Sequence, residues 1–377
     1  MDSSYNGQWT GSTGSGAYCI VNINDNGATI NGRVSLYEDA YSDPDSIPVW
    51  TISFFEGGKE SDIRVTGHVR PATTFWANGN LQTLEERAEF EKRTGIMFPE
   101  ETNFSAERQG LYKLKVNWNS KFPNGDIKTD DALLEKKRLG SSKIFHQEMD
   151  WDKFKSFASS QNDGFIFRGQ SKRWRLQTTF HRTGHADIIT YLDDKVPELE
   201  RHINAFSNHE YDFKDDRSLG GLLNLAQHHG YPTPLLDWTK SPFVAAFFAF
   251  ENARVIKKEG TVSVFCLNDA EWSKIAGRQA QVRSPKLSVK NLELPGFGNQ
   301  RVLPQQSITM FSNAADVESI VQSNESFAGQ YLTAIAIPSS ERERALRDLH
   351  LMGITWGSMF PGIEGVCKQL ASRHFGS

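Results

Sequence analysis

The sequence predicts an α+β protein, with an N-terminal antiparallel β barrel or sandwich followed by a mixed α/β domain. Three observations carry this reading. Apolar residues alternate at period two through the first 120 positions, Asn-Gly steps punctuate them, and after Lys143 the pattern changes to amphipathic segments interleaved with short apolar runs. A chain of 377 residues exceeds the size at which a single core keeps growing, which favours two domains or three. The expected division is a β-rich domain at 1–120, a linker at 121–142 and the mixed domain at 143–377.

Four strand faces read in order: Ile30, Val34 and Leu36; Trp50, Ile52 and Phe54; Ile63, Val65 and Val69; and Tyr112, Leu114, Val116 and Trp118. Asn6-Gly7, Asn26-Gly27, Asn31-Gly32 and Asn78-Gly79 tolerate the positive φ of tight turns. A helix is predicted over 81–94, where Leu81, Leu84, Ala88 and Phe90 recur among charges, and its best use is as a lid or plug. Residues 11–16 are rich in Gly and Ser, but no Lys-Ser/Thr follows, so they read as a flexible turn or linker and not as a phosphate loop. Segment 119–140 is polar and charged, with a turn at Asn124-Gly125 and a short helix candidate at 130–139. Beyond it, strands are expected at 164–167, 262–267 and 331–337, and helices at 192–206 and 219–229. The stretch 339–370 should hold two helices joined irregularly at Phe360-Pro361-Gly362.

Composition bounds the function. Hydrophobic residues at 38% and aromatic residues at 11% exclude wholesale disorder. A net charge of −4 argues against broad electrostatic binding to nucleic acid, although Lys172, Arg173 and Arg175 around Trp174 form one local basic patch. Cys19, Cys266 and Cys367 are scattered thiols suited to a reducing cytosol. Residues 1–13 lack an apolar signal core and the most apolar window, 243–250, is too short to span a bilayer, so a cytoplasmic protein without membrane contact is expected. His181, His185, His202 and His209 lack a carboxylate or cysteine at a recognised ligand spacing, and no metal is expected.

Three segments of the second half carry candidate chemistry. In Phe167-Arg168-Gly169-Gln170 a strand ends in a permanently charged fork suited to phosphate or carboxylate, and Gly169 permits close backbone approach; the plain alternative is a surface ion pair. In the stretch 227–249, Ser241-Pro242 starts an almost wholly apolar helix, which fixes Asp237, Trp238, Thr239 and Ser241 on an anchored loop. In 300–311, a polar turn offers Arg301, Gln305 and Gln306 before a short strand.

Taken together, Phe167-Arg168-Gly169-Gln170, the run from Gln227-His228-His229-Gly230 through Asp237-Trp238-Thr239 to Ser241-Pro242, and Arg301 with Gln305 resemble the FRG domain family. Phe360-Pro361-Gly362-Ile363-Glu364-Gly365 resembles its tail, so the resemblance covers about 143–370. Pro234 departs from the arginine usual there, and Ser307 from a common glycine. A more distant resemblance is to the ADP-ribosyltransferase arrangement of arginine, Ser-Thr-Ser and glutamate motifs. It implies that Arg168, Thr239 and Ser241 hold and brace NAD, but the glutamate's place is taken by Arg301 or Gln305, and a guanidinium would oppose the positive charge of glycosidic cleavage. Asp237 and Glu251 are the nearest substitute carboxylates. These resemblances imply Arg168, Asp237, Thr239, Ser241 and Gln305 as catalytic candidates. Arg168, Gly169, Gln170, His228, Trp238, Thr239 and Arg301 are the corresponding candidates for binding NAD or a related nucleotide. The implied setting is a bacterial effector of anti-phage defence or a toxin system, with a phage-derived trigger at the first domain and a protein or nucleic-acid target. The competing expectation is a non-catalytic module that binds a nucleotide, nucleic acid or protein.

Overall fold

The computed structural model describes residues 4–37, 50–76, 80–251, 253, 260–278, 282–292, 294, 299–325 and 330–375; the turn expected at Asn78-Gly79 lies outside them. The first part is a closed antiparallel barrel, so the barrel alternative holds over the sandwich. Its strands are β1 (Gly7–Thr13), β2 (Tyr18–Asp25), β3 (Thr29–Tyr37), β4 (Trp50–Lys59) and β5 (Arg64–Val69). After a short β6 (Thr73–Phe75) and α1 (Leu84–Thr94) come β7 (Glu101–Arg108), β8 (Lys113–Lys121) and β9 (Ile127–Glu135). Leaving β6 aside, each strand pairs with the one before it, and β9 returns to β1 through Thr10↔Glu135 to Thr13↔Ala132, which closes the ring and removes its edges.

The predicted helix forms three residues later than its apolar spacing begins, because Thr83 caps it: its hydroxyl accepts from Glu86 N at 3.1 Å while Glu86 accepts from Thr83 N at 2.8 Å. Residues 11–13 belong to β1, and only the remainder of the Gly/Ser run is a turn. The segment expected as a linker with a helix at 130–139 is instead β9, joined to β8 by a hairpin in which Gly125 takes φ 87°. Its inward positions include Lys128 and Asp130 at the barrel mouth, which hid the apolar alternation.

Three of the four predicted faces point into the barrel, although Ile63 and Tyr112 sit in turns outside their strands. The exception is β4. There Thr51, Ser53 and Phe55 line the interior, while Trp50 and Ile52 lie on the outer surface and are nevertheless buried. Ile52 shares a small cleft with Ile20, Arg33, Ala186, Ile188 and Val282, so this alternation records a contact with the C-terminal part. Arg33 seals that contact with a 2.6 Å ion pair to buried Asp187, and Gln8 Nε2 donates to Asn313 O at 2.9 Å.

The second part opens with β10 (His146–Glu148), α2 (Trp151–Ser160), β11 (Phe165–Gln170) and α3 (Thr179–Arg182). Next, α4 (Ile188–Thr190) runs through a π turn (Tyr191–Lys195) into α5 (Val196–Asn204), followed by α6 (Asp216–His228), β12 (Leu235–Thr239) and α7 (Pro242–Glu251). Then come β13 (Thr261–Asn268), α8 (Asp269–Ala276), β14 (Val289–Leu292), β15 (Ser307–Ser312), α9 (Val317–Gln322) and β16 (Leu332–Pro338). The described chain ends with α10 (Arg342–Leu351), α11 (Trp356–Met359) and α12 (Ile363–Phe375). The two helices expected at 339–370 are thus three, with the irregular Phe360-Pro361-Gly362 joining α11 to α12. The sheet order is β10-β16-β13-β11-β12-β15-β14, antiparallel except for β10–β16. Helices α2, α7 and α10 cover one region through Trp151, Phe247 and Leu349, α8 and α9 cover another through Trp272 and Val317, and α4–α6 pack on Leu235 and Phe311. No helix among the described residues is long and apolar enough to cross a membrane.

Candidate functional site

The sheet brings the three candidate segments side by side, since β11, β12 and β15 are consecutive strands. Strands β11 and β12 meet at Phe167↔Thr239, and Arg168 lies at this junction, where its Nη1 donates to the Asp237 carbonyl. Its Nε is buried with no partner among the described residues. Burial depresses the Arg168 guanidinium to about 10, Asp237 opposes that shift, and nearby Arg182 adds to it. Arg182 is exposed at the end of α3, where it donates to Gln177 O. The half-buried Asp237 carboxylate accepts from Gln227 Nε2 at 2.5 Å, and Gln227 in turn accepts the Thr233 hydroxyl.

Several expected ligand contacts are occupied by the protein itself. A Cβ at position 169 would lie 1.8 Å from Ala245 O, so Gly169 admits α7, not a ligand. Gln170 Nε2 donates to Trp174 O at 3.0 Å and holds the following loop. Trp238 is a core side chain, 3% exposed, packed with Ile166, Leu236 and Met310. The Thr239 hydroxyl donates to Gln305 O at 2.7 Å and accepts from Ser241 N at 3.0 Å. Ser241 Oγ accepts from Val244 N at 3.3 Å, the expected cap of α7, and Gln305 Nε2 donates to Met359 O at 2.9 Å. These hydroxyls and this amide tie the ends of β12 and β15 to α7 and α11.

His228 and Arg301 form a neighbouring cluster. His228 does not bond the Asp237 loop: its Nδ1 lies 3.0 Å from Asn224 O and 2.7 Å from Asn299 Nδ2. Burial lowers the imidazole's proton affinity, with Asp237 opposing and Arg301 reinforcing the shift. Arg301 Nη1 donates to His228 O at 2.8 Å, its guanidinium lies 4.8 Å from the Phe360 ring centroid, and Glu364 stands 3.4 Å away. Glu251, the other substitute carboxylate, is at the far end of α7, paired with Arg342 at 3.7 Å.

The basic patch also changes. Arg175 is buried, making a bidentate pair with Asp316 at 2.7 and 2.8 Å beside the fully buried Glu318, which leaves Lys172 and Arg173 around exposed Trp174. Sequence reasoning did not mark Arg182, Gln227 or Glu364 as site residues. Gln227 and Glu364 lie within stretches quoted above and Arg182 directly follows His181, but only the fold places them beside Asp237 and Arg301.

Among the described residues, cavities are formed elsewhere, at positions that do not include Arg168, Asp237, Thr239, Ser241 or Gln305, and one of about 760 Å³ fills the barrel.

The FRG domain model matches residues 163–258, from β11 past α7, so the chain contains an FRG domain within its C-terminal part. The match includes Arg168, Asp237, Thr239 and Ser241 and stops before Arg301 and Gln305. No curated protein matches the chain.

Proposed function

We propose that the FRG domain binds a phosphate-bearing nucleotide, with NAD the first candidate, at Arg168, Arg182 and Asp237, as the effector half of a protein whose barrel receives the signal. One observation carries this reading: the half-buried Arg168 guanidinium, whose Nε has no partner among the described residues, stands close enough to exposed Arg182 for the two charges to disfavour one another. A pyrophosphate between two guanidinium forks would relieve that repulsion. The engaged Thr239, Ser241 and Gln305 side chains favour binding over transfer. Phage defence or a toxin system is the setting that the family resemblance suggests.

Glycosidic cleavage is the second reading, favoured by the Asp237 carboxylate beside Arg168, which could stabilise developing positive charge. Calorimetry with NAD, ADP-ribose and AMP, run beside chromatography of nicotinamide, separates the two. We expect saturable binding that weakens at least about tenfold in Arg182→Ala without a change in melting temperature, and no nicotinamide release. Absence of binding to all three overturns the proposal. Release that vanishes in Asp237→Asn while binding survives would establish cleavage.

A further inference from the structure

The barrel is hollow. Its cavity of about 760 Å³ falls within the range of small-molecule sites, whereas close-packed interiors hold few voids larger than a water. Tyr5 and Trp9 seal the floor: both are fully buried, Trp9 Nε1 donates to Tyr5 O at 2.8 Å, and Arg108 and Lys136 lie 5.0 and 4.9 Å from the Tyr5 and Trp9 rings. Above that floor the wall is apolar, formed by Val21, Ile23, Val34, Phe55, Phe104 and Val116. Near the opposite end the lining changes to hydroxyls, Thr51, Ser53, Thr102 and Ser120, of which the last two bond each other at 2.8 Å. The charged lining residues Asp126, Lys128 and Asp130 all stand on the β8–β9 end, at the mouth.

These layers restrict the occupant. Water against the apolar wall would lack hydrogen-bond partners, so an apolar group that displaces it gains the free energy of leaving water. An ionised group in the lower wall would lose its hydration without gaining a counter-charge. We infer that the barrel is a binding site for an uncharged, mainly apolar small molecule whose neutral polar end, a hydroxyl or amide, rests against the hydroxyl band. This inference stands on the barrel alone and does not depend on the reading of Arg168.

The test is titration of the full chain with N-phenylnaphthylamine, followed by displacement with dodecanol, dodecanoate and dodecylammonium. We expect a saturable rise in emission, reversed by dodecanol at concentrations at least about tenfold below those of either charged chain. Val34→Phe and Val116→Trp each fill the cavity, and they should weaken probe binding at least about tenfold without lowering the melting temperature. No saturable emission change, or binding untouched by a folded cavity-filling variant, overturns the site. Equal displacement by the charged chains overturns the neutral occupant. The wild-type displacement series decides the matter even if one variant fails to fold.

Discussion

In the barrel, the inward polar residues Thr51 and Ser53 line open space, whereas in and around the C-terminal sheet the buried Thr239, Gln305 and Asp316 are joined to protein partners. The same contrast holds for apolar groups. Val34 and Val116 face a void, while Gly169, Ala245 and Ala249 meet with no room for one more carbon. A closed ring of hydrogen-bonded strands keeps its shape from the wall, so its centre can stay unfilled. An open sheet keeps its shape only through what is packed on its faces. Reception of a small molecule therefore suits the first part, and surface recognition suits the second.

This contrast can be broken experimentally. The largest effect is expected from Arg175→Ala, which leaves Asp316 and Glu318 buried without their cation and should cost about 3–5 kcal/mol by urea denaturation; a loss below about 1 kcal/mol would mean that the network does not hold the sheet. Gly169→Ala should follow at about 3 kcal/mol, because its Cβ meets the Ala245 carbonyl, an obstacle made of backbone. A methyl group tolerated there would abolish the distinction from the barrel wall.

Acid titration is the next test. Burial alone would raise the Asp316 carboxyl, but hydrogen bonds from Arg175 and Ser319 outweigh it and hold the group below the ordinary value. Its contribution to stability is therefore present above the unfolded value, about 4, and is lost as pH falls through the lower folded value. Glu318 has the opposite sign: burial raises it, despite bonds from Leu176 N and Ser142, so it opposes folding increasingly as pH rises through the range above its unfolded value. Urea midpoints followed from about pH 7 to pH 3 should show a flatter acid limb in Asp316→Asn and a steeper one in Glu318→Gln. The smallest effect belongs to Thr83→Ala, which removes the cap of α1 and should cost about 1 kcal/mol, seen as faster amide exchange confined to that helix.

Period two was legible on β8, where one side of the strand is wet, and on β3, where the outward face is polar although Arg33 and Ser35 pack against the C-terminal part. On β4 it pointed the wrong way, because Ile52 is buried against the C-terminal part and Ser53 faces the cavity, so the apolar residue is outside and the polar one inside. On β9 it vanished for the reason that makes the strand interesting: Lys128 and Asp130 are mouth residues. At the candidate site, the Phe-Arg-Gly triplet and the Ser-Pro helix start were visible in sequence, and the cap formed as expected. Residue order did not reveal that Trp238 is a core side chain or that Gly169 receives α7. Whether a polar group is available to a ligand depends on which backbone atoms arrive beside it.

The outward-facing but covered Ile20, Arg33 and Ile52 also bear on how the chain can be handled. A fragment ending after Glu135 would retain every strand of the ring, yet bare an apolar strip on β2 and β4 and strand Arg33 without Asp187. Such a fragment would fold around its own ligand space while carrying an adhesive flank. Dissection of the two halves therefore calls for polar replacements at Ile20 and Ile52 before the excised barrel is judged by its solubility.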